Sequence, residues 1–250
     1  MAGGTMAIQT RQVEYKDGDI LLEAYMAWDD SSNDHRPGVL VSHAWAGRGE
    51  LEESKAEQLA ELGYVGFALD LYGKGVRGAN PKQNQALMQP LLDDRAMLQR
   101  RMHLALENIR KQKEVDAERI AAMGFCFGGL CVLDLVRSGA DILGAASFHG
   151  LFSPPGNTGG NKISAKVLVM HGWDDPMATP DQVLSLADEL TAMEADWQIH
   201  AYGNTMHAFT NPAAADPEMG TVYNADADRR SWQSLQLFLA EIFQHSLADH

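Results

Sequence analysis

Cysteine is almost absent: Cys126 and Cys131 are the only two in 250 residues. They lie across a predicted turn and the helix after it, are poorly placed to bond each other, and match no zinc spacing. Both are expected reduced, as in a cytoplasmic protein. Long apolar runs are missing too. No window approaches the roughly 18 apolar residues of a membrane span. The start, Met1-Ala2-Gly3-Gly4-Thr5-Met6, has no basic region followed by an apolar core, so no signal peptide is expected. Residues 1–5 are read as a vector-derived remnant and residues 6–250 as one domain. Positive charge is scarce: 20 Lys and Arg against 34 Asp and Glu give a formal net charge of −14. That excludes the basic footprint that nucleic acid or an anionic membrane surface requires. The histidines form no H-x-H or H-x-x-x-H pair, so no metal is expected.

What is present is an ordinary globular composition, 45% hydrophobic and 22% charged. Val13 to Tyr15 and Ile20 to Trp28 read as two strands joined at Lys16-Asp17-Gly18. Gly38 to Ser42 and Lys166 to Met170 are short continuous apolar runs, the pattern of strands buried on both faces in a parallel sheet. Further strands are predicted at Tyr64 to Leu69, Ile120 to Met123, Leu143 to His149 and Trp197 to Tyr202. Between them lie helical patterns at Glu50 to Leu62 and Asp181 to Met193. Pro81 to Lys113 is mostly helical with a break near Pro90, one helix runs from the glycines after Cys126 to about Ser138, and the last is Asn224 to Phe243. Strands alternating with helices imply an α/β fold with a mostly parallel central sheet covered by helices on both faces.

In such a sheet, function gathers at the C-terminal ends of the strands. Gly124-Phe125-Cys126-Phe127-Gly128-Gly129 joins a strand directly to a helix, and the glycines flank a potential nucleophile. This is the pattern of a nucleophile elbow, with cysteine where serine is commoner. Side chains beside the nucleophile must be nearly absent because strand and helix crowd the turn. The helix N-terminus favours thiolate over thiol. Past the strand at Lys166 comes His171-Gly172-Trp173-Asp174-Asp175-Pro176, and past the strand at Trp197 comes Met206-His207-Ala208-Phe209. Nucleophile, acid and histidine thus follow the chain order of α/β-hydrolases.

Each residue has an ordinary alternative. Cys126 could be a buried cysteine beside a glycine turn, Asp175 a turn residue before Pro176, and His207 a hydrogen-bonded surface histidine. His43 and His171, at strand ends, read as structural hydrogen-bonders. Three suitable residues in the right order, each just past a buried strand, outweigh those readings together. Cys126 then attacks an acyl carbon, His207 moves the proton and Asp175, preferred to Asp174, orients the imidazole. The backbone N–H groups of Phe127 and Trp45 form the oxyanion hole. Tyr72, Phe152 and Phe209, with Trp45, are the candidate lining of an apolar acyl pocket.

These stretches, together with Leu69-Asp70-Leu71-Tyr72-Gly73, resemble the dienelactone hydrolase family of α/β-hydrolases, from about Val13 to Phe243. The resemblance implies a Cys-His-Asp triad that hydrolyses esters or lactones through an acyl-enzyme, without a cofactor. Two positions depart from the family pattern. The family's loop glutamate is matched by Ala44, with Glu50, Glu52 or Asp70 as candidate replacements. The arginine expected shortly after the histidine is Asn211, and Leu71 to Leu92 offers only Lys74, Arg77 and Lys82. Losing a bidentate clamp weakens selection for an acidic substrate, so a small neutral ester is expected. The alternatives are a true dienelactone (carboxymethylenebutenolide) hydrolase, with side activity on activated phosphotriesters, or a non-catalytic binding protein of the same fold. A monomer or homodimer is expected.

Overall fold

The computed structural model describes residues 7–245; the expected remnant at 1–5 and the start at Met6 lie outside them. The chain forms two compact units that divide between Ala122 and Met123. The main sheet has eight strands and is mostly parallel, with helices packed against its strands. No helix among the described residues is long and apolar enough to cross a membrane.

The first unit opens with an antiparallel hairpin, β1 (Ile8–Asp17) and β2 (Ile20–Asp29). Its turn is the two-residue Gly18-Asp19, where Gly18 takes φ +58°, so Lys16 and Asp17 belong to the strand. β1 begins five residues before the predicted Val13. There the alternation is weak because most outward residues are polar. β3 (Arg36–Ser42) leads to α1 (Glu50–Glu61), which ends at Gly63 with φ +89°. The Gly63 N–H bonds the Ala60 carbonyl at 3.0 Å and the Tyr64 N–H bonds the Leu59 carbonyl at 3.1 Å, a Schellman stop. β4 (Val65–Ala68) follows, then α2 (Pro81–Asp93), α3 (Arg95–Arg110) and β5 (Val115–Phe125). The break between α2 and α3 falls at Asp94, not at Pro90, which stays inside α2. The Asp94 carboxylate accepts the Met97 N–H at 2.9 Å and so starts α3. Strand order here is β1-β2-β4-β3-β5, with β3 and β4 parallel.

The second unit takes the end of β5 and continues through α4 (Phe127–Arg137), β6 (Gly144–Phe148), β7 (Lys166–Gly172), α5 (Pro180–Ala192) and β8 (Asp196–Tyr202). β6, β7 and β8 are parallel neighbours. β9 (Ala215–Asp216) and β10 (Thr221–Val222) form a small antiparallel pair ahead of α6 (Ala225–His245). Two-residue strands carry no periodicity, which is why the pattern of residues does not announce them.

Candidate active site

β5 ends at Phe125 and α4 begins at Phe127, so Cys126 alone turns the chain. It does so at φ 56° and ψ −117°, a conformation that costs a residue with a Cβ ~1–3 kcal/mol. Three bonds hold it. The Cys126 N–H donates to the Phe148 carbonyl at 3.0 Å, and its carbonyl accepts the N–H groups of Gly129 at 2.9 Å and Leu130 at 3.3 Å. The glycines are explained by contact. A Cβ on Gly124 would lie 2.2 Å from the Gly128 carbonyl oxygen, and one on Gly129 would lie 2.5 Å from Ser147 Oγ. Cys126 stays partly exposed while Cys131 is buried, and neither is in a disulfide among the described residues.

The loops after β7 and β8 are knitted together. The Trp173 N–H bonds the Tyr202 carbonyl at 2.8 Å and the Asp174 N–H bonds the Thr205 carbonyl at 2.9 Å. Gly172 permits this approach, since a Cβ there would meet the Thr205 oxygen at 2.5 Å. Asp174 points to solvent and Asp175 is buried. Asp175 Oδ1 accepts the Met177 N–H at 2.7 Å, and Oδ2 pairs with His207 Nδ1 at 2.7 Å. The His207 backbone is clamped in turn: its N–H donates to the Gly220 carbonyl at 2.9 Å and its carbonyl accepts the Val222 N–H at 3.1 Å. Gly220, at φ +73°, sits so close to Pro176 that a Cβ would meet its ring at 2.2 Å. The β9–β10 turn therefore fixes histidine and acid loop together.

Burial alone would make the His207 imidazolium harder to form. The negative charge of Cys126 and the bond to Asp175 outweigh it, and the group is pushed up to about 10. His207 Nε2 is buried and makes no hydrogen bond of full geometry among the described residues. Cys126 acts on it first as a nearby charge and then as a hydrogen-bond partner.

Two more imidazoles lie beside this pair. His149, just past β6, is buried at φ 37°, with its ring 5.2 Å from that of His207 and 5.0 Å from Phe209. Its Nε2 pairs with Thr210 Oγ1 at 2.8 Å. Burial first, then the charge of His207, holds it well below the usual histidine range. Sequence reasoning placed His149 only as the end of a strand; the signal was a polar residue at the close of an apolar run, followed by Gly150. His171 corrects an expectation. It was read as a structural hydrogen-bonder, yet both ring nitrogens are buried without a partner among the described residues. Its ring packs 5.5 Å from Phe152 and 6.4 Å from Trp173 instead.

Phe209 is fully buried and packs on His149 and Tyr202. Phe152 is buried at the edge of a cavity of about 870 Å³ between the 151–164 loop and α5. Its carbonyl accepts from Arg137, a fully buried guanidinium that also binds Glu189 at 2.6 Å.

In the first unit, the loop after β3 is tied at every polar point. His43 Nδ1 bonds the Ala44 carbonyl at 2.7 Å and Nε2 accepts the Leu71 N–H at 3.1 Å, so this histidine is the hydrogen-bonder expected. Tyr72 stacks on its ring at 4.7 Å and donates its hydroxyl to the carbonyl of half-buried Trp45 at 2.9 Å. Of the three carboxylates considered beside Ala44, Glu50 is exposed. Asp70 is used up by the N–H groups of Glu23, Tyr72 and Gly73. Glu52 is buried, accepts the N–H of Ala44 at 3.3 Å and of Gly49 at 2.9 Å, and is raised by burial.

A mostly parallel sheet with a cysteine elbow, an acid loop and a histidine loop in that chain order is the framework of an α/β-hydrolase. The chain belongs to the dienelactone hydrolase family, whose model matches residues 22–243, and it is a hydrolase. The crystal structure of P91, a dienelactone hydrolase-like promiscuous phosphotriesterase from metagenomic libraries, is 34% identical. It covers 94% of this chain and 99% of its own, with a TM-score of 0.88. An uncharacterised Caenorhabditis elegans protein is 33% identical over 154 residues, 60% of this chain and 98% of that protein. A Synechocystis protein provisionally named carboxymethylenebutenolidase is 25% identical over 262 residues, 95% of this chain and 99% of that protein. Membership of a hydrolase family sets aside the non-catalytic reading.

Proposed function

We propose that this hydrolase cleaves small neutral carboxylic esters or lactones through an acyl-enzyme on Cys126, as one domain in the cytoplasm, monomeric or homodimeric. The observation that carries the proposal is the buried His207 ring, bonded at Nδ1 to Asp175 at 2.7 Å on the loop beside the Cys126 elbow. A histidine raised to about 10 is an imidazolium at neutral pH, and the nucleophile in this reading is the Cys126 thiolate beside it. The Cys126 sulfur attacks the acyl carbon, and the carbonyl π electrons move onto oxygen. That oxyanion is received by the N–H of Phe127, with the N–H of Trp45 as second donor. Collapse expels the alkoxide, which takes the His207 proton and leaves a thioester. Neutral His207 then deprotonates water, hydroxide attacks the thioester, and the thiolate departs beside a reformed imidazolium. Asp175 keeps the imidazole in one tautomer throughout. Tyr72, Phe152 and Phe209 are assigned to the acyl pocket and its support.

Neutral substrates are preferred because the position expected to carry an arginine shortly after the histidine is Asn211, whose side-chain oxygen already accepts the Ala213 N–H at 3.0 Å. Lys74 is engaged by Glu23 at 2.8 Å, and Lys82 is exposed. A second reading, turnover of activated phosphotriesters at the same thiolate, is favoured by the likeness to P91. The test compares an aryl acetate, a carboxylate-bearing dienelactone and an aryl dialkyl phosphate on wild type and Cys126→Ala. Wild type should prefer the acetate, and the variant should lose at least ~10³-fold on all three substrates. Activity that survives in Cys126→Ala removes the acyl-enzyme. Preference for the dienelactone removes the neutral-ester assignment alone.

A further inference from the structure

We infer that His149 is a positioning residue: together with Phe148 it sets the separation and facing of Cys126 and His207. The inference rests on the triad assigned above. The Phe148 carbonyl accepts the Cys126 N–H at 3.0 Å and so holds the turn on which the sulfur is carried. The next residue stacks its ring on His207 at 5.2 Å, edge to face. One peptide step therefore touches the backbone of the nucleophile and the ring of the base.

That step is itself tightly constrained. The His149 N–H donates to the Met170 carbonyl on β7 at 2.8 Å, its Nε2 pairs with Thr210 Oγ1 at 2.8 Å, and Phe209 closes the far side at 5.0 Å. A non-glycine residue at φ 37° persists only where its surroundings over-determine it, and such strain gathers at functional sites. Gly150 explains why the bend fits: a Cβ there would lie 2.2 Å from Ser147 Oγ.

Among the described residues, the groups that act on the His207 ring are Asp175 on Nδ1, Cys126 as charge and hydrogen-bond partner, and His149 packed against it, with His171 as a further imidazole; burial disfavours both of these as cations. Asp175 bonds the ring at one nitrogen, and His149 packs against the ring itself and limits its rotation. Because it stays neutral, it does so without placing a second cation against the imidazolium.

The experiment joins kcat/KM for an aryl acetate with the pH titration of the His207 ring followed by NMR, on wild type, His149→Ala, His149→Phe, Thr210→Val and His207→Ala. A small misplacement of reacting groups costs up to ~100-fold, so His149→Ala should lose about 30-fold or more. Its His207 midpoint should fall by about one pH unit as the ring turns from Cys126. His149→Phe, which restores the stack without the Thr210 bond, should recover at least about tenfold of that loss. A merely structural residue would lower the melting temperature and leave the His207 midpoint in place. An unchanged midpoint with wild-type kcat/KM in His149→Ala overturns the inference. If that variant does not fold, Thr210→Val decides: a midpoint shifted downward supports positioning, and an unshifted one overturns it. His207→Ala separates the two claims. Wild-type rates in His207→Ala remove the base assignment itself, whereas a dead His207→Ala beside a normal His149→Ala removes only the positioning.

Discussion

The loop after β3 and the loops after β5 to β8 bury the same kinds of side chain and treat them in opposite ways. In the first, His43 uses both ring nitrogens, Asp70 takes three backbone N–H groups and Glu52 takes two. In the second, His149 Nδ1, both nitrogens of His171 and Ser147 Oγ are buried without a partner among the described residues. Each unmet group costs ~1–3 kcal/mol. A chain under no other demand would not keep four such atoms beside residues held at positive φ, Cys126 and His149 among them. Saturated polar groups hold a shape. Unsaturated ones, beside the partly exposed Cys126, lie where the proposed reaction would place its substrate.

The largest effect that tests this contrast is at Asp175. Asp175→Asn keeps the volume but reverses the hydrogen-bond preference at Nδ1, and kcat should fall by about 10²–10⁴-fold. The pH dependence follows from His207. Its imidazolium is favoured in the folded state, so its stabilisation is complete below the ordinary histidine value near 6.5 and fades as pH rises through about 10. The acid that protonates the leaving group disappears over the same upper range. With an alkyl ester, whose leaving group needs that proton, kcat/KM should fall above about pH 10, and in Asp175→Asn the fall should begin at lower pH. An upper limb that does not move in the variant would break the link between the carboxylate and the base.

A smaller, paired effect compares His43 with His171. His43→Ala opens a cavity and strands the Leu71 N–H and the Ala44 carbonyl, and should cost ~2–4 kcal/mol in urea unfolding. His171→Leu removes two unmet nitrogens and should be neutral or stabilise by up to ~1 kcal/mol. Equal losses would mean that the saturated and unsaturated regions do not differ in the way described.

The chain order of elements and the loops that carry Cys126, Asp175 and His207 were legible because both are local: apolar runs mark the buried strands, and glycines mark the elbow. Gly124 in particular could be read directly, since its Cβ has no space whatever the distant fold. The partners of His171 and the place of His149 were not legible. A histidine at a strand end bonds or does not bond according to groups far along the chain, such as Thr210, sixty-one residues from His149. The break near Pro90 was misplaced for a related reason. Proline was weighed as a breaker, while the Asp94 cap, a weaker signal in sequence, decides where the chain turns. The β9–β10 turn, which clamps His207, is too short to show any period.

The smallest expected effect is at Asn211, and it bears on the proposed preference for neutral esters. Asn211 follows the histidine loop, with its N–H on the Ala208 carbonyl at 2.9 Å and its side-chain oxygen on the Ala213 N–H. It therefore spends its polarity on the turn and offers no cation. Asn211→Arg supplies one, but on a long, partly solvated side chain, where an ion pair is worth only ~0.3–1 kcal/mol. The ratio of kcat/KM for the carboxylate-bearing dienelactone to that for the neutral acetate should rise about two- to fivefold at low salt and shrink toward wild type near 0.5 M salt. The neutral ester serves as the control, because losing the Ala213 bond loosens the turn for both substrates alike. A ratio that rises and resists salt would place the carboxylate in a desolvated pocket. A ratio that does not move would mean that this position faces away from the acyl group, and that preference for neutral substrates is set by the apolar lining.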